Sequence, residues 1–386
     1  MTLSPPATLE QLAARYDPAV FELTRRSARV RLVGAGADPV DAVLDDTGAR
    51  LEPPSGGRPD ALLSADAATW AEIAEDVRGG MAAFRSRRLK VRYDLHLGVG
   101  FLAATADAGR YGLRFWNART REGAISVSEA GSGPPVLMMH GLGATKVSFL
   151  PTVAALAGSH RAIAVDLPGF GDSVKPIRAG YDAPYFARTM IALLDALDID
   201  RAHLVGNSMG GRVAIEMGLE APDRVRRLGL LAPSLAWLRD RPWAPFLKLV
   251  QPRLGLIQPA PRAVVEAIVR HVVPASDEEW TAAGIDEFLR SYLTPRGRSA
   301  FYTAARSIYL EDPGGPGGLW TRLPQLGARS LWVWGRRDTL VPIAFADHVR
   351  RALPDSEHLE LESGHVPQLE SPKRTHDALL RFLAGR

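Results

Sequence analysis

Residues 204–211 read Leu204-Val205-Gly206-Asn207-Ser208-Met209-Gly210-Gly211, a Gly-x-Ser-x-Gly pentapeptide joining an apolar strand to a segment with helix character. A strand that becomes a helix within a few residues forces its turning residue into a strained backbone conformation, and Gly206 and Gly210 are neighbours small enough to let the two chains pass closely. The side chain at the tip is then held clear of the sheet, with the amide N–H groups and positive end of the following helix directed at it. That is a place suited to a nucleophile.

Outward from this turn the chain alternates apolar strand, turn and amphipathic helix. Strands are expected at Ile125–Ser128, Val136–Met139, Ala162–Val165, His203–Val205, Leu228–Leu231, Leu331–Trp334 and His358–Leu361. Such alternation argues for a mostly parallel sheet with helices on both faces. The interval from Pro233 to Ser330 is too long for one crossover helix, and it carries Trp237, Trp243, Phe246, Leu249, Ile257, Tyr292, Phe301, Tyr302 and Tyr309 among prolines. An inserted helical cap over about 235–325 accounts for it.

A serine hydroxyl is too weak an acid to attack a carbonyl near neutral pH, so it needs a histidine as base and a carboxylate to fix the tautomer of that histidine. Two candidates lie downstream, each just past a strand end: Asp338 in Trp334-Gly335-Arg336-Arg337-Asp338, and His365 in Ser363-Gly364-His365. Ser, Asp, His is the order expected for an elbow serine on an open α/β sheet, and the carboxyl ends of parallel strands are where such sheets place their sites. His140-Gly141-Leu142-Gly143 supplies a glycine loop at another strand end, so the amides of Leu142 and Met209 are the expected oxyanion donors. The pentapeptide alone arises often by chance, and it is the joint placement that carries the reading. Asp166 precedes Ser208 and breaks the order, so it reads as structural; His140 reads as a loop organiser and His203 as a core histidine. Phe149, Phe246 and Tyr302 are the expected substrate contacts.

Composition narrows the rest. Hydrophobic residues make up 46% and charged residues 23%, ordinary for a globular chain, and with no cysteine there is no disulfide framework, thiolate zinc site or cysteine nucleophile. The start lacks the charged-then-apolar design of a signal peptide and no run approaches the roughly 18 apolar residues of a membrane span, so a cytoplasmic location is expected. Net charge is only +4, carried almost entirely by arginine. The one dense basic run, Arg85-Ser86-Arg87-Arg88-Leu89-Lys90-Val91-Arg92, suits transient contact with an anionic membrane surface and lacks the aromatic interleaving of a nucleic-acid site.

The first third has another texture. A helical start at Leu9–Tyr16 precedes an extended run at Ala28–Val33, and two short runs flank the turn Asp45-Asp46-Thr47-Gly48 as a hairpin. Ala61-Leu62-Leu63 leads into a helix capped by Ser64 or Asp66, with Trp70, Ile73 and Ala74 on one face. From Thr105 to Gly123 the pattern weakens, which marks the boundary between a domain at 1–117 and one at 118–386.

On the motifs His140–Gly143, Asp166–Ser173, Gly206–Gly211, Gly335–Pro342 and Gly364-His365, residues 123–386 resemble the α/β-hydrolase family, cap included. The resemblance implies a nucleophile at Ser208, a base at His365, an orienting acid at Asp338, and no metal or organic cofactor. Epoxide hydrolases and haloalkane dehalogenases of this fold carry aspartate at the elbow, so Ser208 argues against both. The Gly-Asn-Ser-Met-Gly-Gly elbow is similar to that of hydrolases that cleave carbon–carbon bonds in ring-fission products. Those enzymes usually have tryptophan after the histidine, whereas Val366-Pro367-Gln368 follows here, which favours ester cleavage. Residues 15–117 resemble the SCP2-like sterol and lipid carrier fold, an α+β domain, on Asp60–Asp66 leading into a Trp-containing helix and Arg88–Asp94 before a final apolar helix. The expectation is a serine esterase or lipase acting on apolar acyl or lipid esters. A ring-fission hydrolase and a non-catalytic lipid-binding protein are the alternatives, and oligomeric state stays open.

Overall fold

The computed structural model describes residues 7–34, 38–75, 83–84, 86–106, 112–239, 244–249, 251–258, 261–272 and 278–385. The chain forms two compact units, one of residues 1–116 with 260–290 and one of 117–259 with 291–386. The stretch expected as a single helical cap is therefore divided, its middle part belonging to the first unit.

The first unit is built on strands β1 (Ala28–Val33), β2 (Val40–Asp45), β3 (Gly48–Glu52), β4 (Ala61–Ser64) and β5 (Lys90–Arg92), in the order β3-β2-β1-β4-β5. β1 runs antiparallel to β2 and parallel to β4, the latter needing a crossover that the β2–β3 hairpin supplies. Val30, Leu32, Ala42, Leu44, Leu63, Trp70 and Ile73 fill one side. Of the two cap candidates it is Asp66 that accepts from Thr69 N, at 2.7 Å, to start the helix Ala67–Glu75. The apolar helix Leu95–Ala104, capped by Asp94, lies so close to its neighbours that a Cβ on Gly100 would stand 2.0 Å from the Phe21 ring. Inside this unit Asp286, 1% exposed, accepts from Arg92 Nε at 2.7 Å and Tyr93 N at 2.9 Å and contacts Arg262. Burial opposes its charge, yet these donors hold its carboxyl below the usual range.

The second sheet comprises β6 (Arg114–Thr120), β7 (Gly123–Ala130), β8 (Pro135–Met139), β9 (Arg161–Val165), β10 (Ala202–Asn207), β11 (Val225–Leu231), β12 (Arg329–Gly335) and β13 (Glu357–Leu361), ordered β13-β12-β11-β10-β8-β9-β7-β6. Each strand expected from the apolar runs after residue 123 is present. β6 is the addition, lying in the stretch read as a boundary. As an edge strand it buries only Phe115 and Ala118 and leaves arginines outside, so its sequence lacks the apolar run that marks the inner strands. From β8 the chain moves outward to β9, then crosses back to place β10 on the other side of β8. That reversal opens a crevice past the carboxyl ends of β8 and β10, where Met139 pairs with Gly206.

Candidate active site

Ser208 stands at this crevice. It follows β10 directly, adopts φ 52° and ψ −116°, and begins the helix Met209–Glu220. A left-handed non-glycine residue costs roughly 1–3 kcal/mol and persists only where the surroundings dictate it. Here they do: a Cβ on Gly206 would stand 2.3 Å from Gly210 O, and one on Gly210 2.0 Å from Met139 O. The Ser208 amide donates to Leu231 O at 3.0 Å, and its carbonyl accepts from Ser234 N at 2.9 Å. Ser208 is 2% exposed.

The glycine loop abuts it. A Cβ on Gly141 would lie 3.2 Å from Ser208 Cβ, and Leu142 is the next residue along this loop. His140 is fully buried and fixes this loop: Leu167 N donates to its Nε2 at 2.9 Å, so the proton sits on Nδ1, which donates to Gly141 O at 2.7 Å. Asp166 is committed to structure as well. It accepts from Lys146 N and Lys146 Nζ, each at 2.7 Å, and from Asp172 N at 2.9 Å, with Lys146 and Asp166 both fully buried. His203 is 6% exposed and held neutral, burial and the neighbouring His160, Arg226 and Arg227 lowering its pKa to about 4.

Asp338 and His365 meet. His365 Nδ1 donates to Asp338 Oδ2 at 2.8 Å, and the other carboxylate oxygen accepts from Leu340 N at 2.8 Å and Val341 N at 2.9 Å. The two loops interlock through their backbones, with Arg336 N donating to Leu361 O and Arg337 N to Ser363 O. Glu370 grips the histidine from both sides: its carboxylate accepts from Gly364 N at 2.6 Å and Val366 N at 2.9 Å. Asn207, just before Ser208, donates through Nδ2 to Leu231 O at 2.9 Å and His365 O at 3.0 Å, tying the serine turn to the histidine loop.

Ser208 Oγ is not hydrogen-bonded to His365 in this structure. Its polar neighbour is the Tyr309 hydroxyl at 3.5 Å, at the long limit of a hydrogen bond. Tyr309 ends the helix Pro295–Tyr309, and the sequence marks it only as one of the cap aromatics, without pointing to a place at the serine. It lies seven residues, or two helical turns, beyond Tyr302 on the same helix face. Tyr302 itself bonds Tyr292 at 2.6 Å and Gln258 at 3.4 Å, so no contact joins it to Ser208. Phe149 is fully buried in the turn Lys146–Phe149, and the side chain of Phe246 lies outside the described residues.

Behind the serine, Arg212 fastens the helix Met209–Glu220 to the chain after Tyr309. It donates to Glu311 at 2.8 and 2.5 Å and to Glu216 at 2.7 Å, while Arg322 reaches the second oxygen of Glu216 at 2.7 Å. Burial opposes both charges. Glu311 and Glu216 nevertheless hold the Arg212 pKa above its usual value, and Arg212 and Arg322 hold the Glu216 carboxyl below its own.

The family described as alpha/beta hydrolase fold matches residues 134–267, and the SCP-2 sterol transfer family matches residues 7–102. The dihydrolipoyllysine-residue acetyltransferase component of the acetoin cleaving system of Pseudomonas putida is 31% identical over 260 residues, 65% of this chain and 64% of that protein. The chain thus spans just under two thirds of that relative's length. A 2-hydroxy-6-oxononadienedioate/2-hydroxy-6-oxononatrienedioate hydrolase of Paraburkholderia phymatum is 32% identical over 272 residues, 67% of this chain and 90% of that protein. Among solved structures, a membrane phospholipase A described as a bacterial virulence factor superposes with a TM-score of 0.58 at 27% identity, covering 71% of this chain and 86% of that one.

Proposed function

Because the chain belongs to the α/β-hydrolase family and carries an SCP-2 sterol transfer module before it, we propose that it is a serine hydrolase cleaving carboxylic esters of apolar acyl or lipid substrates. Ser208 Oγ attacks the ester carbonyl as His365 Nε2 takes its proton, and Asp338 holds the imidazole with Nδ1 protonated. The amides of Leu142 and Met209 receive the developing oxyanion, so altering those side chains leaves the donors in place. Collapse of the tetrahedral adduct breaks the ester bond, and His365 returns the proton to the leaving alkoxide. Water then hydrolyses the acyl-enzyme by the same steps.

The observation that carries this reading is the 2.8 Å bond between His365 Nδ1 and Asp338 Oδ2, held in loops whose backbones interlock beside the Ser208 turn. The test is labelling of the folded chain with a fluorophosphonate. A covalent mass increment on Ser208, lost in Ser208→Ala, is expected; an unlabelled Ser208 overturns it and favours a non-catalytic lipid binder.

The relative named as a 2-hydroxy-6-oxononadienedioate/2-hydroxy-6-oxononatrienedioate hydrolase supports a second reading, carbon–carbon cleavage by the same serine. Aryl esters of rising chain length, assayed beside a dienol diketone, separate the two. Ester cleavage faster for longer acyl groups supports the lipid-directed reading, whereas turnover of the diketone alone replaces it. Residues 1–117, on this reading, form the lipid-binding domain and 118–386 the hydrolase with its cap, of which residues 260–290 group with the first unit.

A further inference from the structure

Three large aliphatic side chains stand in water on one stretch of the cap: Leu249 is 79% exposed, Leu254 52% and Ile257 78%. Single exposed leucines are ordinary, but a cluster within one short segment is not. The segment is the helix Ala244–Leu249 followed by the 3-10 turn Pro252–Leu256, both in the second unit. Its charge is one-sided: residues 244–258 contain Lys248 and Arg253 and no acidic residue. Both cations are exposed, and among the described residues neither pairs with a carboxylate.

The backbone of this segment is fastened inward. Arg306 Nη1 donates to Lys248 O at 2.7 Å and Leu247 O at 3.3 Å, and Arg298 Nε donates to Gly255 O at 3.0 Å. A Cβ on Gly255 would meet Ser299 N at 2.9 Å. All of these anchors belong to the helix that ends at Tyr309 beside Ser208, so the aliphatic side chains are presented outward from a support that reaches the serine. The basic run at 85–92, of which Arg85 lies outside the described residues, is less available for such a role, since Arg88 pairs with Glu72 and Arg92 with Asp286.

We propose that Leu249, Leu254 and Ile257, flanked by Lys248 and Arg253, form a docking patch for an anionic lipid surface. The apolar side chains enter the boundary between headgroups and acyl chains while the cations meet lipid phosphates, the division of labour of interfacial segments that lie on a bilayer. No described helix is long and apolar enough to cross a membrane, so contact of this kind is peripheral. The proposal rests on the lipid-directed reading above and names the surface from which its substrate is taken.

The test uses the full chain with vesicles of phosphatidylcholine alone and of phosphatidylcholine mixed with phosphatidylglycerol, beside hydrolysis of a water-soluble aryl acetate. Wild type is expected to co-sediment with the anionic vesicles. The double change Leu249→Asn and Ile257→Asn should weaken that partition by on the order of ten-fold per side chain. Lys248→Gln with Arg253→Gln should weaken it by about five-fold per charge on anionic vesicles only. Aryl acetate turnover should be unchanged in both. A wild type that binds neither vesicle, or a Leu249/Ile257 variant that binds as wild type does, overturns the proposal while leaving soluble ester hydrolysis intact. So does a lipid-free dimer abolished by the same double change, which assigns the patch to a second copy of the chain. Vesicle binding without aryl acetate turnover would instead sink the esterase reading and leave docking standing.

Discussion

The strand-end loops around Ser208 and the cap segment at 244–258 treat their backbones in opposite ways. In the loops, amides and carbonyls of neighbouring strand ends bond to one another, and glycine is required at Gly206 and Gly210 because backbone atoms of adjoining segments lie 2.3 and 2.0 Å from where a Cβ would be. In the cap segment the backbone is gripped by arginine side chains, Arg298 and Arg306, and the aliphatic groups face water. The first region is specified by backbone geometry and tolerates almost no change. The second is specified by long flexible side chains and can vary its surface without disturbing the frame. On the readings proposed above, bond cleavage belongs to the first region and contact with a lipid surface to the second.

The largest expected effect tests the rigid side. Ser208→Ala should lower kcat by about four orders of magnitude or more against aryl esters, with the fold retained by circular dichroism. A variant that keeps a tenth of the activity would move the chemistry elsewhere and break the contrast. Next comes Arg212→Ala, which leaves Glu216 buried with Arg322 as its remaining cation. It should cost about 3–5 kcal/mol in denaturant unfolding. Because the folded-state pKa of Glu216 is depressed, its stabilisation is present above the unfolded carboxylate pKa and is lost as pH falls through the lower folded value. Glu216→Gln should therefore flatten the acid limb of stability, and an unchanged limb would show that this carboxylate is not held ionised.

Glu370→Gln sharpens the comparison. The amide replaces one of the two accepting oxygens by a donor facing an N–H group, so kcat should fall on the order of ten-fold with KM nearly constant and stability reduced by about 1 kcal/mol. Equal changes in kcat and KM would mean that Glu370 shapes the pocket and does not position the histidine. Tyr309→Phe should be the mildest, changing kcat less than about five-fold, since its contact with Ser208 is at the long limit of a hydrogen bond. A hundred-fold loss would make the cap part of the reacting machinery and erase the distinction.

The same distinction explains what the sequence discloses by itself. Ser208, Asp338 and His365 were legible because each follows an apolar strand, and strand ends are where the fold brings distant loops together. β6 escaped because an edge strand with arginines on its outer side has no apolar run. Tyr309 escaped because an aromatic in a cap helix carries no signal of whether it faces the serine, as Tyr309 does, or another tyrosine, as Tyr302 does. Glu370 was equally hidden, its role depending on how a four-residue helix, Pro367–Glu370, turns back on the loop before it. Local pattern predicts the elements, whereas side-chain partners across elements are decided by packing.

Asn207 gives the site a spectroscopic handle. Both of its side-chain N–H groups are committed, one to the end of β11 and one to the carbonyl of His365, inside a buried turn. Such protons exchange slowly with water, so a single amide pair in an NMR spectrum would track the separation of the serine turn from the histidine loop when a fluorophosphonate or vesicles are added.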